Sequence, residues 1–193
     1  MKIVLASSNK HKVQEINDIV KSMGIDLEFI LPPDNFDPEE SGTTFEENSY
    51  IKAKEAWKLS KNWTLADDSG LCIDALGGKP GIYSARYAET PALRIQRVLS
   101  EMDGIENRKA HFSCAMTLIN PQGEVEYKYQ GVCEGSIIKE SRGHNGFGYD
   151  PIFLVKGDTR TMAELSEEEK NQISHRSVAL RHVLDYISRE ILK

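Results

Sequence analysis

A mixed β-sheet flanked by helices, an α/β architecture, is the fold class this sequence predicts, and three observations predict it. Early in the chain, short apolar runs of strand length alternate with segments of helical periodicity. Ala110 to Ile119 is then a long apolar run, closed by the turn Pro121-Gln122-Gly123. Beyond the turn, Val125, Tyr127 and Tyr129 alternate with polar residues, as in the return arm of a hairpin. Alternation followed by a hairpin cannot build a purely parallel sheet, so a mixed one is expected.

Each element follows from its residues. Lys2 to Ala6 is a short strand. Val13, Ile16, Val20 and Met23 recur at helical spacing, with Gly24 as a stop. Leu27 to Leu31 is a second strand, ended by Pro32-Pro33, and an acidic loop runs from Asp34 to Glu40. Thr44-Phe45-Glu46-Glu47 has capping-box spacing and predicts a helix to about Ser60. Its inner face is expected to use Ile51, Ala53, Ala56, Trp57 and Leu59. Strand, acidic turn and a second short strand should follow through Ile73. Leu76 to Ile82 is a turn-rich connection, and Leu93, Val98, Leu99 and Met102 predict another helix. Gly143 to Asp150 is a glycine-rich loop, and Pro151 to Val155 a strand. The last helix carries Leu180, Val183, Leu184, Ile187 and Ile191 on one stripe, with Ser174 as N-cap.

At 193 residues, 39% apolar and 28% charged, the chain can bury a sizeable core as one globular unit, or one with two lobes. No apolar run approaches the roughly 20 residues of a membrane span, and the first residues are too short for a signal-peptide core, so a cytoplasmic protein is expected. Cys72, Cys114 and Cys133 lack CxxC spacing, which argues against structural zinc and disulfides and for free, mostly buried thiols. A net charge of −6 disfavours nucleic acid as a partner. A negative protein that takes a negative ligand needs local cations or a metal ion.

Five clusters bear chemistry. In Leu65-Ala66-Asp67-Asp68-Ser69-Gly70-Leu71, an apolar run enters two adjacent carboxylates, which repel unless a cation or a proton accompanies them. Two readings stand open: a strand delivering acids to its carboxyl end, or a turn. Ser7-Ser8-Asn9-Lys10-His11-Lys12 sits between strand and helix, where N–H groups and the helix dipole attract phosphate; an ordinary N-cap with solvated lysines is the alternative. It lacks the spacing of a Walker loop. Glu39-Glu40 with Glu46, Glu47, Asn48, Lys52 and Lys54 either serves the helix start or supplies a metal ligand and a phosphate-binding lysine. In Gly146-Phe147-Gly148-Tyr149-Asp150-Pro151, Phe147 suits a planar ring and Asp150 its N–H groups; the alternative turns the aromatics into the core. Lys170 and Ser174-His175-Arg176 are donors able to meet keto oxygens or phosphates. Basic residues at a helix N-terminus oppose its dipole, which favours a functional reason for them over a simple cap.

These blocks occur in order with Pro80-Gly81-Ile82-Tyr83-Ser84-Ala85-Arg86-Tyr87 and Phe147 to Phe153. Together they resemble the inosine triphosphate pyrophosphatases, the noncanonical purine nucleoside triphosphatases, over nearly the whole chain. The resemblance implies a single domain over residues 1–193 with two lobes and a central cleft, a homodimer, and Mg2+-dependent hydrolysis of ITP, dITP and XTP to the monophosphate and pyrophosphate. By position, it implies that Ser7, Ser8, Asn9, Lys10, His11 and Lys12 line the triphosphate. Glu40 and Asp68 would serve the metal, with Asp68 as proton acceptor for water and Lys52 as the cleft lysine. Ser69 would touch substrate, and Phe147, Gly148, Tyr149, Asp150, Lys170, His175 and Arg176 would form the base pocket. His144-Asn145-Gly146 stands where relatives often carry Thr-Gly-Gly, and the acidic loop aligns equally with Glu39 in place of Glu40. Two rival readings are a Maf-like pyrophosphatase acting on pyrimidine or modified triphosphates, and a nucleotide-binding protein without catalysis. The Phe-Gly-Tyr-Asp-Pro and Ser-His-Arg blocks count against the first, and the intact acids and lysines against the second.

Overall fold

The computed structural model describes residues 1–8, 13, 16, 17, 19–21 and 23–192. Six strands form one sheet in the order β2-β1-β3-β4-β5-β6: β1 Lys2–Leu5, β2 Glu28–Ile30, β3 Thr64–Ile73, β4 Lys109–Ile119, β5 Val125–Ile137 and β6 Phe153–Val155. β1 is parallel to both β2 and β3, with Val4 opposite Ile30 on one side and Thr64 on the other. β5 and β6 are antiparallel, so the sheet is mixed, as the hairpin pattern implies. The helices are α1 Phe45–Ser60, α2 Pro91–Glu101, α3 Glu167–Ile173 and α4 His175–Tyr186, the last continuing as a π-turn over Ile187–Ile191. Residues 13, 16, 17 and 19–21 are helical as well.

Local chemistry sets the boundaries. Thr44 Oγ1 accepts the Glu47 N–H at 3.1 Å and starts α1, which ends at Lys61 in the left-handed region. Thr90 caps α2, with Pro91 in its first turn. Ser174 Oγ accepts the Ser177 N–H at 3.2 Å at the start of α4. Between β4 and β5, Gly123 sits at φ +86°, where a Cβ would run into the Trp57 ring. Trp57 Nε1 donates to Pro121 O at 3.1 Å and Lys54 Nζ to Gly123 O at 2.6 Å, pinning that turn to α1. At the sheet's outer strand β2, the Asn17 side chain donates to Phe29 O at 2.8 Å and accepts the Phe29 N–H at 2.7 Å. Beside β6, Leu154 bridges Thr161, and Val155 N donates to Arg160 O at 3.2 Å.

The chain divides into two compact units. The first holds Met1–Asp68, Ala115–Gln130 and Ala179–Lys193, and the second Ser69–Cys114 and Gly131–Val178. Val4, Ala6, Ala53, Ala56, Ala66 and Ile119 pack together in the first. Leu71, Ile73, Val98, Met102, Phe112 and Phe153 are core residues of the second.

Two expectations need correction. β3 is one uninterrupted strand through Asp67 and Asp68, where a break at an acidic turn is expected. An internal strand with neighbours on both sides gains a full ladder of hydrogen bonds, and a lysine from α1 neutralises the charge that would favour a turn. The inner face of α1 is Phe45, Asn48, Ser49, Ala53 and Ala56, whereas Leu59 is exposed. Two polar residues take core positions because their groups bond inside: Ser49 Oγ lies 2.7 Å from Thr117 Oγ1, and Asn48 Oδ1 accepts the Gly42 N–H at 2.8 Å. Helix α3, carrying the Ser166–Glu169 capping box, has no counterpart among the expected elements.

None of the three cysteines is in a disulfide; Cys114 and Cys133 are buried and Cys72 is half-buried. Burial, aided by Asp74, pushes the Cys72 thiol up to about 11; burial, aided by Asp150 and Glu134, does the same for Cys133. Alkylation of the native protein by iodoacetamide at pH 8 is therefore expected to run about 10²-fold slower than that of an ordinary thiol, and to keep rising through pH ~10. A rate that levels off near pH ~9 would contradict the raised values.

Candidate active site

In the first unit, Lys52 on α1 binds two carboxylates at once. Its Nζ lies 2.8 Å from Glu40 Oε1 and 2.9 Å from Asp68 Oδ1. The side chains are largely shielded, with 13% of Lys52 and 12% of Asp68 accessible. Burial by itself would lower the Lys52 pKa, but the charges of Asp68 and Asp67 and the bonds to Glu40 and Asp68 outweigh it and hold the ammonium above its ordinary value. Burial pushes the Asp68 carboxyl above the usual carboxylate range, against the opposing pull of Lys52. The result is a charged lysine beside a carboxylate more basic than usual.

Asp68 Oδ1 is taken by Lys52, whereas its buried Oδ2 makes no hydrogen bond among the described residues. Asn48, one turn before Lys52 on α1, lies close enough to Asp68 for hydrogen bonding by its side chain to draw the carboxyl pKa down, although no bond of its buried Nδ2 meets full hydrogen-bond geometry among the described residues. Glu40 is half-buried and Glu39 exposed; the lysine contact belongs to Glu40. Asp67, Asp68's neighbour, is buried. Ser7 follows β1 half-exposed and Ser8 is exposed, while Asn9, Lys10, His11 and Lys12 lie outside the described residues.

The second unit holds a different arrangement. Asp150 Oδ2 accepts the Phe147 N–H at 2.9 Å and pairs with Lys170 Nζ at 2.5 Å. Gly146 is required here: at φ +75°, a Cβ would meet both Asp150 Oδ2 and Lys170 Nζ. The loop so fixed leaves the Phe147 ring 64% exposed, with Lys170 Nζ 4.5 Å and Arg176 Cζ 5.7 Å from its centroid. Arg176 Nη2 donates to Ser69 Oγ at 3.2 Å. An open aromatic face ringed by cations, a carboxylate and a hydroxyl suits a flat heterocycle with acceptor oxygens.

The structure thus brings together Glu40, Lys52 and Asp68 in one unit, and Ser69, Phe147, Asp150, Lys170 and Arg176 in the other. Two further predicted residues lie among core side chains. His175 is buried and stacks on Phe112 at 4.9 Å. Tyr149 is buried beside Gly148, and its hydroxyl donates to Ser84 O at 2.8 Å. Burial pushes that phenol up to about 12. Ser84 in turn accepts the Leu71 N–H at 2.9 Å and donates to Gly81 O at 2.6 Å. The block containing Ser84 therefore anchors the Phe147 loop to β3. Sequence reasoning assigned no role to Ser84 or Asn48; for Asn48 the available signal is its i, i+4 spacing to Lys52, which puts both on one helix face.

Comparison with known proteins adds an independent line. The Ham1 family profile matches residues 3–186. A dITP/XTP pyrophosphatase of Prochlorococcus marinus (strain MIT 9313) is 44% identical over 190 residues, covering 98% of this chain and 92% of that protein. A dITP/XTP pyrophosphatase of Treponema denticola is 45% identical over 196 residues, covering 97% of this chain and 98% of the other. The solved structure of the Staphylococcus aureus Ham1 protein superposes with a TM-score of 0.90 at 39% identity, covering 98% of this chain and all of that one. Sequence and fold agree along nearly the full length, and the chain belongs to the Ham1 family.

Proposed function

We propose that this protein is an enzyme that hydrolyses the noncanonical purine nucleoside triphosphates ITP, dITP and XTP to the monophosphate and pyrophosphate. Relatives 44% and 45% identical bear the name dITP/XTP pyrophosphatase. The observation that carries the chemistry is Lys52 held between Glu40 and Asp68, with Asp68 Oδ2 buried and without a hydrogen bond among the described residues.

That oxygen accepts the proton of the water that attacks the α-phosphorus, and burial keeps the carboxylate basic enough to do so. Lys52 meets the charge that develops on the phosphoryl oxygens. Glu40 and Asp68 would offer the hard oxygen donors that a divalent cation prefers. Magnesium, when bound there, supplies charge neutralisation for the triphosphate. Ser7, Ser8 and the segment Asn9 to Lys12 bind the phosphate tail. On the ring side, Phe147 stacks, Asp150 takes ring N–H groups, and Lys170 and Arg176 meet the keto oxygen, with His175 stacked on Phe112 beside them at the start of α4. A homodimer and a cytoplasmic location belong to the same reading, on the strength of the resemblance. No helix among the described residues is long and apolar enough to cross a membrane.

Donors facing the keto position would be left unpaired by the 6-amino group of ATP, so ITP and XTP are expected to release pyrophosphate at least about 10²-fold faster than ATP, and than GTP where the pocket also crowds out or leaves unpaired its 2-amino group. A coupled pyrophosphatase assay across the four nucleotides tests this, and equal rates would overturn the pocket assignment.

A further inference from the structure

We propose that Asn48 is the positioning residue of this site, its side-chain amide aiming the free oxygen of Asp68. The inference rests on the catalytic reading of Asp68 given above. Asn48 is fully buried, and its side chain is held from one end only. Oδ1 accepts the Gly42 N–H at 2.8 Å, which orients the amide and ties α1 to the loop that follows Glu40. The fit there is close, because a Cβ on Gly42 would lie 2.7 Å from Asn48 Oδ1. The other end, the NH2 group, has no partner among the described residues.

A buried amide donor left unsatisfied is destabilising, and proteins retain few of them. Asn48 and Lys52 are four residues apart on α1 and share a face, and Lys52 Nζ lies 2.9 Å from Asp68 Oδ1. Among the described residues, the buried Asn48 donor without a partner and Asp68 Oδ2 on β3, a buried acceptor without one, are complementary. Either a direct N–H···O bond or a single water between them satisfies both. In each case the amide fixes the torsion of the carboxylate, so that Oδ2 presents a defined lone pair to the incoming proton. Asn48 then serves both acids: its carbonyl steadies the loop bearing Glu40, and its amine sets Asp68.

The two ends are separable by substitution. Asn48→Asp keeps the acceptor for Gly42 and loses the donor to Asp68, whereas Asn48→Leu loses both. With ITP and Mg2+, kcat is expected to fall at least about 10-fold in both variants, with KM within about 3-fold of wild type, as for a group that acts on the transition state alone. Near-wild-type kcat in Asn48→Asp, with loss only in Asn48→Leu, would reduce Asn48 to a loop anchor and overturn the proposal. Folding is followed by melting and circular dichroism. Should either variant fail to fold, the wild-type chain still decides the matter. The Asn48 side-chain NH2 protons, read in a 15N-correlated spectrum of the metal-free protein, are expected to shift when Asp68 is replaced by alanine. Unmoved resonances refute the pairing. If the wild-type chain released no pyrophosphate from ITP, the functional reading would fall, while the spectrum would still test the pairing of Asn48 with Asp68.

Discussion

Asp68→Asn is expected to lower pyrophosphate release from ITP by about 10³-fold while leaving nucleotide affinity within about 3-fold of wild type. The amide keeps the shape of the carboxylate and can still meet Lys52, but it takes no proton. Turnover measured beside equilibrium binding of ITP separates the two effects, and activity within about 10-fold of wild type would remove Asp68 from its role. The same variant has a thermodynamic signature. Burial raises the Asp68 pKa in the folded chain, so folding favours the protonated form. Its contribution to stability is present below the unfolded value and is lost as pH rises through the folded one. At neutral pH the ionised group therefore opposes folding, and the metal-free variant is expected to melt no lower than wild type.

Lys52→Met is the second large effect. Methionine fills the space but leaves Glu40, Asp67 and Asp68 without their shared cation. Loss of a preorganised positive group aimed at developing charge is expected to reduce kcat/KM by about 10²–10³-fold at pH ~7. Part of that loss is recoverable. Lys52 pulls the Asp68 pKa down, so removing it raises that pKa further. The carboxylate then stays protonated to higher pH, and the acidic limb of the rate profile moves upward. Activity relative to wild type should therefore improve as the pH is raised. A limb that stays in place would show that Lys52 does not set the Asp68 charge.

Elements with local signals were legible from sequence. Thr44 announces α1 because caps act within one turn, the spacing of Leu93, Val98, Leu99 and Met102 announces α2, and Pro121-Gln122-Gly123 announces the β4–β5 hairpin. What escaped depends on distant partners. β3 continues through two acids because Lys52, from another element, neutralises Asp68. Asn48 and Ser49 occupy the inner face of α1 because Gly42 and Thr117 satisfy them, which no hydrophobic stripe reveals. The short, charged α3 has a capping box but no apolar face to betray it. At the candidate site, residue types suggested the acids, the lysine and the aromatic loop. The buried bond from Tyr149 to Ser84 needed coordinates, since aromatics beside glycines are equally at home facing a ring or a core.

The borders of the sheet carry a consequence for solubility and assembly. A strand whose outward amide and carbonyl are open is a template for another chain. Here Asn17 mimics a neighbouring strand against Phe29 at one border, and the Arg160–Thr161 segment occupies the other beside β6. Templated fibril growth finds no vacant rung at those positions.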